Sequence, residues 1–234
     1  MRIVLAGQKA FGSAVYGLLR ALNHEIVTVA APATRDRTTS DGSPLPDRLR
    51  LDAERDGVPW IPAGTLRAHH IPDGTDMIIA AHSHDFLGAA TRRRTRLGAI
   101  GYHPSLLPIH RGRDAVEWTI RLRDRVAGGS VYWLSDGVDC GDLAAQRHCF
   151  VHPDDTAATL WRRTLFPLGL TLLADVLTDL SAGQIVRVPQ DAALATWEPS
   201  IGRTPIFRPE LPAIGAIPGF TVRTAFTAAL DSAR

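Results

Sequence analysis

The apolar and polar positions of this chain alternate between two periods from its first residues. Arg2 to Ala6 is a short apolar run, Gly7 breaks it, and Phe11, Ala14, Val15, Leu18, Leu19 and Leu22 then recur at helical spacing up to Asn23. Glu25 to Ala31 (EIVTVAA) is a second run, rich in β-branched residues. A strand–helix–strand unit of this kind predicts a parallel pair with the helix crossing over. Residues 32–47 hold Pro, Thr, Asp and Gly and read as a loop. Further on, Arg48 to Arg55 predicts a helix, Val58 to Ile61 a short edge strand, Asp76 to Ala81 a buried strand, Leu87 to Arg96 a helix and Gly98 to Tyr102 the next strand. A Pro-rich loop covers 104–113, followed by a helix over Ala115 to Arg123 and strands over Gly129 to Leu134 and Leu143 to Phe150. Asp155 to Leu180 predicts one long amphipathic helix opened by an Asp/Thr cap. From 189 to 234 Pro, Gly and Ala are frequent and no period persists.

The alternation predicts the α/β class: an open, mostly parallel, Rossmann-like sheet flanked by helices, with a short irregular C-terminal extension. In such sheets ligands bind beyond the carboxyl ends of the strands. Three polar clusters fall at predicted strand ends, His82 to Asp85, His103 to Arg113 and Ser135 to Asp142.

Composition removes several classes. The 234 residues carry a net charge of +2, which gives no basic excess and no expectation of a nucleic-acid partner. The apolar run at the N-terminus is too short for a signal peptide, and no uninterrupted apolar stretch approaches the ~20 residues of a bilayer span, so no membrane is expected. Cys140 and Cys149 make no disulfide framework, which predicts a reduced, cytoplasmic chain. Cys140 reads as a small buried hydrophobe, and Arg92-Arg93-Arg94 as a solvated basic face. His82-x-His84 lacks the Asp and His at 86 and 87 that a binuclear metal pattern needs, since Phe86 and Leu87 stand there; no metal is expected.

The most specific stretch is Tyr102-His103-Pro104-Ser105-Leu106-Leu107-Pro108-Ile109-His110-Arg111-Gly112. It resembles the H-P-S-L-L-P-x-x-R-G signature of the folate-dependent formyltransferases. Some thirty residues on, Gly128 to Leu143 (GGSVYWLSDGVDCGDL) resembles that family's second signature, with its Asp at Asp139. The opening strand with Phe11-Gly12, the Pro32 loop, the 48–61 segment and Ala195-Thr196-Trp197-Glu198-Pro199 run in step with the same family.

The resemblance implies a catalytic domain over 1–188, an extension over 189–234, and 10-formyltetrahydrofolate as formyl donor. It assigns catalysis to His103 and Asp139, which stabilise the oxyanion formed when an amine attacks the formyl carbon and manage the proton that leaves the amine. The family's third catalytic group, an Asn two residues before the His, is here Gly101. Ser83, His84 and Tyr102 are the expected stand-in donors. The resemblance further places donor contacts at Phe86, Leu87, Ser135 and Asp136, and an acceptor-side loop at Ser105, His110, Arg111 and Gly112. The family's tRNA-directed members carry an added barrel for which 189–234 is too short. The expected acceptor is therefore the amine or hydroxylamine of a small molecule, such as an amino sugar nucleotide or an amino-acid derivative. Two alternatives stay open: hydrolysis of the formyl donor, and a non-catalytic ligand-binding role marked by Gly101. A homodimer is left open as well.

Overall fold

A computed structural model describes residues 1–38, 42–83 and 85–202; His84 and the chain from 203 onward lie outside the described residues. In chain order the elements are β1 (Arg2–Gly7), α1 (Lys9–Ala21), β2 (Glu25–Ala31), β3 (Thr34–Thr38), β4 (Pro44–Pro46), α2 (Arg48–Arg55) and β5 (Trp60–Pro62). There follow β6 (Met77–Ala81), α3 (Ala89–Arg92), β7 (Gly98–His103), α4 (Ala115–Arg121), β8 (Val126–Trp133), β9 (Leu143–Phe150), α5 (Ala157–Leu160) and α6 (Phe166–Ser181).

Seven strands form one sheet in the order β5-β2-β1-β6-β7-β8-β9. The first five are parallel, and β8 and β9 join antiparallel. The order reverses between β1 and β6, which opens a crevice at the carboxyl ends of the parallel strands. Strand alternation sorts the core into two layers. Ile3, Leu5, Met77, Ile79, Ile100 and Tyr102 pack with α1 and α6 on one face. Val4, Ala6, Ile78 and Ala99 pack with Leu66, Ile71 and Leu87 on the other. Gly101 and His103 follow Ala99 at two-residue steps, so they belong to this second face, where few helices cover the sheet.

The structure departs from the sequence expectations in three places. The 32–47 segment is not all loop: β3 and β4 pair antiparallel as a small separate ladder. The helix expected over Leu87 to Arg96 shrinks to Ala89–Arg92 because the chain turns back to reach Gly98, whose φ is +96°. The long helix after Asp155 is broken by a π-helical turn over Trp161–Leu165. Pro167 accounts for that break, since its ring nitrogen cannot donate to the carbonyl a turn earlier and a wider turn absorbs the gap. By length and composition Ala157–Ser181 passes as a bilayer span. Here Leu172, Leu173, Val176 and Leu177 are buried against the sheet.

Candidate functional site

β7 ends at His103, and a buried loop carries the chain from there to α4. Ser130, fully buried on β8, anchors that loop: its hydroxyl donates to the Ser105 carbonyl at 2.7 Å and accepts from the Leu107 N–H at 3.1 Å and from Gln146 Nε2 at 2.8 Å. Ser105 in turn donates to the Ile109 carbonyl at 2.6 Å. The expected acceptor-side residue Ser105 is therefore a loop brace.

His103 is 7% exposed, and its Nε2 lies 2.7 Å from the His110 carbonyl. A carbonyl only accepts, so Nε2 carries a proton and the other ring nitrogen is the one left for chemistry. That atom, Nδ1, faces Asp139 Oδ2 at 3.7 Å. Asp139 sits in the left-handed region, φ +50°, where the loop after β8 folds back across the second face. Its Oδ2 accepts from the Gly112 N–H at 2.7 Å and its Oδ1 from the Tyr132 hydroxyl at 2.5 Å. Gly112 has φ +93°, and a Cβ there would lie 3.0 Å from the Trp197 ring, so this donor position needs glycine. The structure thus brings His103, Asp139 and Gly112 together.

The other expected residues fall elsewhere. Tyr102 points to the opposite face, wedged against Phe11, and its hydroxyl donates to the Leu165 carbonyl at 2.7 Å. Successive strand residues face opposite ways, so the neighbour of His103 is not its partner. Ser83 closes a turn on itself: its hydroxyl donates to Asp85 Oδ2 at 3.2 Å and accepts from the Asp85 N–H at 3.0 Å. His82, at φ +59°, turns its ring toward Trp161, with centroids 6.0 Å apart.

His110 and Arg111 are buried rather than lining a mouth. His110 Nε2 is 2.9 Å from Asp124, and Nδ1 lies 3.0 Å from Glu198 Oε2, off the hydrogen-bond axis. Burial pushes the His110 pKa down, but the Asp124 and Glu198 carboxylates more than reverse this and raise it to about 9. Arg111 binds Gln190 Oε1 at 2.6 Å, and the Gln190 amide reaches the carbonyls of Asp139 and Gly141. Thr196 pairs with both His110 and Arg111, which ties the segment around Ala195 to this loop.

Three of the four expected donor contacts, Leu87, Ser135 and Asp136, are joined through Arg92. Arg92 donates to the Leu87 carbonyl at 2.6 Å, to the Ser135 carbonyl at 2.9 Å and to Asp136 Oδ1 at 2.6 Å. This guanidinium is a tether between two loops and not a solvated face; its side chain is 12% exposed. Phe86 stands 72% exposed beside the buried Leu87. Cys140 is exposed, not buried, with its sulfur 3.2 Å from the Ser135 hydroxyl. Two residues escaped sequence reasoning: Tyr132, and Gln8 at the end of β1. Gln8 is buried, its extended backbone continues the alternation from Ala6, and its Nε2 has no hydrogen-bond partner among the described residues. Among the described residues no group of three or more metal-ligating side chains gathers.

A mostly parallel sheet with a crevice where the strand order reverses, and an imidazole–carboxylate pair at a strand end, defines the α/β class of domains that bind ligands at such a crevice. Residues 65–176 match the family model described as formyl transferase. Human cytosolic 10-formyltetrahydrofolate dehydrogenase is 38% identical over 208 residues, covering 85% of this chain and 22% of that protein. The methionyl-tRNA formyltransferase of Anaeromyxobacter sp. (strain K) is 35% identical over 202 residues, covering 84% of this chain and 64% of the relative. The chain thus spans under two thirds of either. The solved N-formyltransferase of Helicobacter canadensis, in complex with folinic acid and dTDP-3-aminofucose, shares the fold with a TM-score of 0.65 at 13% identity, over 84% of this chain and 70% of that one.

Proposed function

We propose that this domain takes the formyl group of 10-formyltetrahydrofolate and passes it to the amine of a small molecule, such as an amino sugar nucleotide or an amino-acid derivative, in the cytoplasm. The observation that carries the reading is His103 Nδ1 facing Asp139 Oδ2 at 3.7 Å with Nε2 already committed to a carbonyl. The site fits the donor on the donor's own chemistry. Phe86 offers an exposed aromatic face to a flat heteroaromatic ring, and Asp136, 81% exposed, offers carboxylate acceptors to ring N–H groups. Arg92 holds these two loops in register. When bound, the donor supplies a formyl carbon activated by its amide nitrogen.

The chain's own residues manage the proton. Nδ1 of His103 takes the proton from the attacking amine, and the Asp139 carboxylate stabilises the imidazolium so formed. The Gly112 N–H keeps that carboxylate fixed by donating to Oδ2, and before reaction the Tyr132 hydroxyl donates to Oδ1. The dehydrogenase relative acts, by its name, on 10-formyltetrahydrofolate, and the Helicobacter canadensis structure holds an amino sugar nucleotide, which supports both halves of the reading.

A second reading has water as the acceptor. The 3.7 Å separation of His103 and Asp139 is too long for a direct hydrogen bond, and one small nucleophile can contact both groups. The test for either reading is incubation with 10-formyltetrahydrofolate, with and without an amine pool, following tetrahydrofolate release and formyl mass gain. Release only with amine supports transfer; release without amine supports hydrolysis. His103→Gln and Asp139→Asn are each expected to slow release by about 10²-fold or more. Wild-type protein that binds the donor and never releases it refutes both.

A further inference from the structure

Gly101 leaves β7 bare where the resemblance puts an amide side chain. A Cβ built there meets Leu134 Cδ1 at 3.1 Å, Tyr132 Cε1 at 3.4 Å and the Ala80 methyl at 3.6 Å. That volume is already bordered by the edge of the Tyr132 ring. Strand pairing explains why. Gly101 and Tyr132 are direct antiparallel partners, and such partners project from the same face with Cβ positions about 5 Å apart. With no side chain at 101, nothing keeps the ring off the β7 backbone.

The Tyr132 hydroxyl ends 2.5 Å from Asp139 Oδ1, while Oδ2 of the same carboxylate lies 3.7 Å from His103 Nδ1. Phenol, carboxylate and imidazole therefore converge from β8, the loop after it and β7. The competing donors are placed elsewhere. Tyr102 and Ser83 spend their hydroxyls on Leu165 and Asp85. Gln8 directly follows β1, and β6 lies between β1 and β7, a span of about 9–10 Å at the usual strand spacing.

We propose that Tyr132 is a catalytic residue of the formyl-transfer reaction, its hydroxyl giving the oxyanion the hydrogen bond that a side chain at position 101 does not; this rests on the function proposed above. As the nucleophile's lone pair bonds to the formyl carbon, the carbonyl π pair moves onto the oxygen. The Tyr132 O–H turns from Asp139 Oδ1 to that oxygen and keeps its proton. The nucleophile's proton goes to His103 Nδ1. It then passes to the departing folate nitrogen as the carbon–nitrogen bond breaks and the oxygen's pair re-forms the carbonyl. Protein protonation is the same before and after. Burial, with Asp139 beside it, pushes the Tyr132 hydroxyl well above its usual range, so it remains a donor through neutral and mildly alkaline pH.

Tyr132→Phe removes one oxygen and keeps the ring. Its kcat is expected to fall on the order of 10²-fold, the usual loss for one oxyanion donor, with the KM for 10-formyltetrahydrofolate and the Kd for tetrahydrofolate nearly unchanged. Gly101→Asn alone is expected to lower turnover, because the new side chain meets Leu134 and the Tyr132 ring. Gly101→Asn with Tyr132→Ala is expected to turn over faster than Tyr132→Ala, since the amide then has the vacated space. Undiminished kcat in Tyr132→Phe, or a gain in Gly101→Asn alone, overturns the role of Tyr132 while wild-type turnover upholds the reaction. Wild-type protein without turnover for any nucleophile overturns the reaction itself, and this role with it.

Discussion

His110 carries the most quantitative prediction. It is buried with Asp124 and Glu198 on its two ring nitrogens, and its pKa is raised from 6.5 to about 9. A raised folded-state pKa means that the native state holds the proton more tightly than the unfolded chain. The resulting stability is therefore fully present below about pH 6.5 and is lost as pH climbs through about 9. The distance between those two values, at ~1.36 kcal/mol per pH unit, is about 3 kcal/mol. His110→Gln keeps a polar side chain of similar reach and cannot take the charge. Urea denaturation of wild type and variant at pH 6 and at pH 10 isolates the contribution, because every other titrating group is common to both. The variant is expected to be destabilised by several kcal/mol at pH 6, as Glu198 loses its countercharge, and by about 3 kcal/mol less at pH 10. A stability gap of equal size at the two pH values refutes the reasoning.

Two further outcomes follow from the loop itself. Ser130→Ala strands the Leu107 N–H and the Ser105 carbonyl and is expected to cost about 2 kcal/mol, read as a lowered thermal midpoint with donor binding retained. Gly112→Ala forces a side chain into the left-handed region against Trp197 and is expected to cost about 1–3 kcal/mol. It also draws the N–H off Asp139, so turnover measured at a temperature where the variant is fully folded falls too.

The strand runs and the helix between them were legible because each buries one periodic face, and the sheet followed from their alternation. His103 and Asp139 were legible because two separate signatures each carry one of them. Tyr102 was misplaced by sequence proximity, although the two-residue period of a strand already sends it to the other face. Tyr132 was not legible for a different reason. Its neighbours are Gly101 and Asp139, and only the β7–β8 register puts the first across from it. The burial of His110 was not legible because its partner Glu198 lies 88 positions downstream, in a stretch without periodicity. The β3–β4 ladder and the π-helical turn depend on local backbone accommodation, which an apolar pattern does not record.

The attachment of the Ala195 segment bears on the order in which the molecule is made. Synthesis runs from the N-terminus, so the whole sheet, His103 and Asp139 are made before Gln190, Thr196 and Glu198 exist. Until then Arg111 has no amide to bind, Asp139 has no Gln190 under its carbonyl, and the charge on His110 lacks its second carboxylate. The nascent chain therefore acquires its scaffold first and its reactive geometry last. A released chain ending near Val188 keeps the sheet and α6 but has a His103–Asp139 pair without the Gln190 contacts that hold the Asp139 loop.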